Sequence, residues 1–127
     1  MGALVVSGDI QPPPASQTDS LFVQTDVRRW NELTKVFKAA KEKYGRIDYV
    51  FANAGIGPRA NYLALEVDEN DDPKEPNEDT LDINLDSVVK TVTLAAHYMK
   101  TQPEGGAIVI MGSSTGLHPV RAVDYCK

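Results

Sequence analysis

Two stretches with helical spacing alternate with four short apolar runs, and that alternation decides most of what this chain can fold into. From Val27 the apolar residues fall at Val27, Trp30, Leu33, Val36, Phe37, Ala40 and Tyr44, the spacing of one helix face. Asp26 stands where an N-cap belongs, and Gly45 where a C-terminal stop belongs. A second stretch carries Leu81, Leu85, Val88, Val89, Val92, Ala95, Ala96 and Met99 on one face, and stops before Pro103 and Gly105-Gly106. The apolar runs are Ala3 to Val6, Leu21 to Val23, Ile47 to Phe51 and Ala107 to Met111, each the length of a strand. Ser7-Gly8-Asp9 reads as the turn closing the first run. Gln11 to Ser20 contains Pro12, Pro13 and Pro14 and cannot be a regular helix. An acidic loop covers residues 57–77, and the second helix starts after about Glu78.

Helices long enough to cross over, alternating with strands that are nearly all apolar, make βαβ units. Strands apolar on both faces belong to a parallel sheet. The expected fold class is therefore α/β with a parallel sheet, in one domain spanning residues 1–127 without internal repeats. At 127 residues, 42% hydrophobic, the chain has room for one core and not two. No stretch reaches the roughly 20 apolar residues of a membrane helix, and Met1 to Asp9 lacks the pattern of a secretory signal. Cys126 is the single cysteine, so an intrachain disulfide is excluded and a reducing, cytoplasmic setting is expected. The net charge of −5 lies largely between Glu66 and Asp82. A nucleic-acid binder shows a basic patch, and no run of Lys or Arg exists here.

In open parallel sheets, ligands bind beyond the carboxyl ends of the strands. The polar and glycine residues that follow the runs are Asp9, Asp26, Asn53-Ala54-Gly55 and Ser113. Their placement predicts one site at one edge of the sheet. Asn84 is a polar residue in an apolar helical stretch, flanked by Asp82 and Asp86, which could make it part of a solvated face. Two other patterns fail on context. Gly112-Ser113-Ser114-Thr115-Gly116 has the form of a hydrolase nucleophile elbow centred on Ser114. Such an elbow leads straight into a helix, whereas Leu117-His118-Pro119 follows, and no His comes after Asp124. Asp68, Asn70, Asp72 and Asp79 imitate a calcium loop, but Pro73 occupies the place of the required glycine. His97 and His118 have no partner at metal-ligand spacing.

The order of these motifs resembles a short-chain dehydrogenase/reductase of the classical type. Asp9 closes one strand, Asp26-Val27 the next and Asn53-Ala54-Gly55 the third; Asn84 follows within Leu81-Asp82-Ile83-Asn84-Leu85, then Ser113, then Tyr125. The resemblance implies a partial Rossmann-like, doubly wound parallel sheet. It implies that Asp9 accepts hydrogen bonds from the adenosine ribose hydroxyls, favouring NAD over NADP. Asp26 and Val27 would lie at the adenine. Asn53, Ala54 and Gly55 would let the backbone approach the cofactor closely; Ala52 stands where the commonest version has a second Asn. Asn84 would hold a water in a proton relay. Ser113, with Ser114 as the alternative, would hydrogen-bond the oxygen of a small alcohol or ketone. Tyr125 would be the acid/base, and a free tyrosine with a pKa of about 10 needs help to act near neutrality. The family's help is a lysine four residues on, whereas Lys127 is two residues past Tyr125 and on another helix face.

No Gly-rich pyrophosphate turn occurs in the 127 residues. The resemblance thus implies a chain truncated at both ends, without the first strand and the last ones. In the doubly wound order the first strand lies in the middle, so strands two and three are expected to separate from four and five, leaving free edges. The chain alone is expected to show no dehydrogenase activity and to bind NAD poorly. A non-catalytic interaction module is the alternative. Pairing of copies through the 81–99 helix is what the family analogy adds.

Overall fold

The computed structural model describes residues 2–14, 20–59 and 66–118. Strand β1 (Val6–Asp9) runs parallel to β2 (Leu21–Gln24), with Val6 opposite Leu21 and Asp9 opposite Gln24. Strand β3 (Tyr49–Ala52) runs parallel to β4 (Ala107–Ile110), with Tyr49 opposite Ala107 and Ala52 opposite Ile110. The two pairs form two separate sheets, as the sequence predicts for strand pairs with no strand between them. Helix α1 (Trp30–Tyr44) links the pairs, and the crossover from β3 to β4 contains α2 (Asp79–Leu81) and α3 (Ser87–Met99), joined by a π-helical turn at Asp82–Asp86.

The first strand lies later than the sequence suggests. Ser7-Gly8-Asp9 is strand, not turn, because the ladder with β2 continues through Thr25 N–H to Asp9 O at 2.8 Å. Gly8 is there for close approach: a Cβ on it would lie 3.0 Å from Val36 Cγ2 of α1. Helix α1 also begins later than its apolar period. Asp26 is not its N-cap. Asp26 instead closes a turn ahead of the helix, its carbonyl accepting Arg29 N–H at 2.9 Å and its Oδ1 accepting Arg28 N–H at 3.0 Å. Glu32, in the first helical turn, reaches back to accept Asp26 N–H at 2.8 Å. Gly45 stops the helix as expected, with φ of 76° and its N–H bonded to Lys41 O at 2.9 Å.

The core lies between the helices and one face of the strands. Leu33 and Phe37 of α1 meet Leu94, Ala95 and Met99 of α3, with Ile47 beneath them. Val27, Ala40, Val50, Tyr98 and Ile108 pack against this cluster, and the Phe37 and Tyr98 rings stack at 5.6 Å. Burying side chains of this size contributes about 1.5–3 kcal/mol each. Two expectations need correction. The helix face running from Leu81 to Met99 is not continuous: Leu85 and Val89 are 60% and 56% exposed, while Leu94, absent from that face, is 5% exposed. The π-turn bears on the Leu81 and Leu85 end of that face, whereas Val89 and Leu94 both lie within the unbroken α3. Ser87 N–H bonds to Asp82 O, five residues back, so the turn holds an extra residue and the phase of the face shifts. The strands are also not covered on both faces among the described residues, since Tyr49, Phe51 and Val109 stand exposed beside the inward-packed Val50 and Ile108.

The lower ends of β3 and β4 are joined by Gln102. Its Oε1 accepts Ile47 N–H at 2.8 Å, and its Nε2 donates to Ile47 O at 2.9 Å and Gly105 O at 2.8 Å. No helix among the described residues is long and apolar enough to cross a membrane.

Candidate active site at the carboxyl ends of the strands

The segment leaving β3 is built around an amide clamp. Ile56 N–H donates to Asn84 Oδ1 at 2.9 Å, and Asn84 Nδ2 donates to Ile56 O at 2.9 Å. Asn84 sits in the π-turn, which presents it to the loop. It is therefore neither a merely solvated position nor a side chain wholly given to a water. The clamp uses one donor and one acceptor of the amide and leaves one of each. Asn53, Ala54 and Gly55, just before Ile56, are exposed, and a Cβ on Gly55 would lie 3.4 Å from Asn84 Oδ1.

Past the neighbouring β4, Ser113 has extended backbone with φ −137° and ψ 147°. That geometry lets its Oγ cap the 3-10 turn Ser114–Gly116, accepting Thr115 N–H at 3.2 Å, with the Thr115 hydroxyl 2.8 Å away. Ser114 contributes its carbonyl, which accepts Leu117 N–H at 3.0 Å and His118 N–H at 2.9 Å. A single 3-10 turn after Ser114, followed by a bend, is not the helix a nucleophile elbow needs.

Past β1 and β2 the groups are ionic. Asp9 Oδ1 accepts Gln11 N–H at 2.9 Å, which leaves Oδ2 available to a ligand. Arg28 grips the Asp26 carboxylate, with Nε at 3.0 and 3.1 Å from its two oxygens and Nη2 at 2.8 Å from Oδ2. The Arg28 guanidinium holds the Asp26 carboxyl below the usual carboxylate range, and Asp26 in turn raises the Arg28 pKa. Arg28 Nη1 reaches Asp79 Oδ1 at 3.0 Å, and Lys90 Nζ donates to Arg28 O at 2.8 Å. These bonds place the end of β2 beside the helical segment that also holds the end of β3. The carboxyl ends of β2 and β3 thus open on the same side. Ile10, Gln24, Asp26, Glu32 and Lys35 line a shallow polar hollow of about 300 Å³ there. Val27 is turned toward the core instead.

Tyr125 lies outside the described residues. In the acidic loop, Asp68 turns its Oδ1 onto the backbone N–H groups of Asn70 at 2.8 Å and Asp72 at 3.1 Å, which hold its pKa down. Sequence reading missed Arg28, Lys90 and Thr115. Arg28 finds Asp79 51 residues away, a pairing no local pattern encodes. Thr115 was visible only as the third residue of Ser-Ser-Thr.

A nicotinamide dinucleotide fits what is present in part. Asp9 offers a carboxylate oxygen to a ribose, and 53–55 offer small exposed residues against which a cofactor can lie close. Most of the Asp26 carboxylate is already spent on Arg28.

Parallel strand pairs joined through helices, with polar residues beyond their carboxyl ends, define an α/β protein with a partial, Rossmann-like parallel sheet. The family model for short chain dehydrogenase matches residues 10–125. The chain is 48% identical to the short-chain dehydrogenase/reductase ascJ of Acremonium egyptiacum, over 98% of this chain and 44% of that protein. It is 35% identical to human 15-hydroxyprostaglandin dehydrogenase [NAD(+)], over 80% of this chain and 33% of that enzyme. The fold matches carveol dehydrogenase from Mycobacterium avium, crystallised in complex with NAD, at a TM-score of 0.75 and 24% identity, over 98% of this chain and 50% of that one. This chain belongs to the short-chain dehydrogenase family. It spans half or less of the length of these relatives.

Proposed function

We propose that this chain carries the central part of an oxidoreductase site that moves hydride between NAD and a small alcohol or ketone. The observation that carries this reading is the Asn84–Ile56 clamp, which ties the segment after β3 to the helical turn; Asp9 ends β1, and Ser113 lies three residues past β4. Bound in its oxidised form, NAD would accept hydride in alcohol oxidation; bound as NADH, it would supply hydride in ketone reduction. Asp9 would take the adenosine ribose hydroxyls and disfavour a 2′-phosphate by charge. Asp26 would stand at the adenine side, with Val27 behind it in the core, and Asn53, Ala54 and Gly55 along the cofactor. Ser113 would hold the substrate oxygen, Tyr125 would exchange a proton with it, and Asn84 would keep a water in line with that proton. NAD is also what two of the related proteins are named with.

Within the 127 residues there is no Gly-rich turn to cradle a pyrophosphate, and residues 1–127 by themselves are expected to bind NAD weakly and to show no dehydrogenase activity. The single cysteine agrees with a cytoplasmic setting. Leu85 and Val89, exposed on the helical segment 81–99, favour pairing of two copies there.

The test compares the purified chain with a chimera in which it replaces the matched segment of the Acremonium relative. The chimera should oxidise NADH with a panel of ketones, and Asp9→Ala should cost it about tenfold in preference for NAD over NADP, or about 1.4 kcal/mol. Ketone-dependent NADH oxidation by the chain alone would refute the inactivity, and a chimera whose rate ignores Ser113→Ala would refute the site.

A further inference from the structure

We infer that Thr115 is a positioning residue that fixes the rotamer of the Ser113 side chain, and so the place from which its hydroxyl meets a ligand oxygen. This rests on the reading of Ser113 as the group facing substrate.

A hydroxyl has one proton and two lone pairs. Ser113 Oγ accepts from the Thr115 N–H at 3.2 Å, a bond whose direction cannot reverse. The Thr115 hydroxyl lies 2.8 Å from the same oxygen, and either of the two hydroxyls can be the donor. Two bonds from one residue hold the Ser113 Oγ in place before any ligand arrives, which removes reorganisation from the reaction. Thr115 is suited to the task. It is half-buried between the exposed Ser114 and Gly116, and its branched Cβ restricts χ1. The neighbouring Ser114 offers its backbone carbonyl to the turn instead.

Two measurements test this. In the 127-residue chain, three-bond couplings about the Ser113 Cα–Cβ bond should report one rotamer, kept in Thr115→Ser and averaged in Thr115→Val. Averaging in the unsubstituted chain overturns the inference. In the chimera, Thr115→Val should lower kcat for ketone reduction about tenfold, the loss of one good hydrogen bond. The KM for NADH should not change, and Thr115→Ser should restore the rate to within about twofold. Because Thr115 acts through Ser113, Thr115→Val should add nothing in a Ser113→Ala background. If Ser113→Ala abolishes activity while Thr115→Val keeps the full rate, the inference falls and the proposed function stands. If Ser113→Ala is silent, the proposed function falls with it.

Discussion

Asn84 joins two segments 28 residues apart with two hydrogen bonds from one side chain. Asn84→Ala is expected to cost about 1–2 kcal/mol in urea unfolding and to remove the exchange protection of the Ile56 amide. Unchanged protection would mean that the loop holds itself. Asp26 carries a pH dependence. Its folded pKa is lowered, chiefly by the Arg28 side chain. The stabilisation is therefore present above the unfolded carboxylate value of about 3.9 and is lost as pH falls through the lower folded value. Asp26→Asn should flatten the stability loss measured between about pH 6 and pH 2. At this scale the sequence was readable for place along the chain: Asp9 ends β1, Asn53 directly follows β3 and Ser113 follows β4. Gly8 misled because a glycine needed for close approach looks the same in sequence as a glycine needed for a turn. The Arg28–Asp79 pair was illegible because it depends on how separate elements dock.

The period of α1 was legible because every one of its turns obeys one helical repeat, and its end was legible because Gly45 adopts φ 76°. Gly45→Ala should destabilise by about 1 kcal/mol in thermal melts, the cost of a side chain in left-handed backbone. The start of α1 was misplaced because Asp26 forms the same kind of side-chain bond in a turn as at a helix cap. The α3 face was misread for another reason. A 3.6-residue repeat laid across Leu81 to Met99 assumes one continuous helix, and the π-turn at Asp82–Asp86 breaks the phase. Paired substitutions show which face is inside. Leu94→Ala is expected to cost about 2–5 kcal/mol, and Leu85→Ala no more than about 0.5 kcal/mol in the monomer. Equal losses would mean that Leu85 is covered.

Over the whole molecule, the class of fold was legible from alternation alone, because parallel strands need crossovers of about a dozen residues, which amphipathic helices usually supply. The separation into two sheets was legible too, from the strand order that the motifs imply. The uncovered face was not. Apolar runs report that a strand's side chains prefer burial, and Tyr49, Phe51 and Val109 remain exposed in spite of that preference. Exposed apolar strands with open edges invite association. Replacing Tyr49 and Phe51 together by lysine should raise the concentration at which the chain stays monomeric in light scattering. The stack of Phe37 on Tyr98 matters here in another way. The two strand pairs share no ladder, so cooperativity between them passes through the contact of α1 with α3 and the Arg28 bonds to Asp79 and Lys90. Each half then behaves as a potential foldon, and one ring-on-ring contact helps decide whether heating melts one object or two.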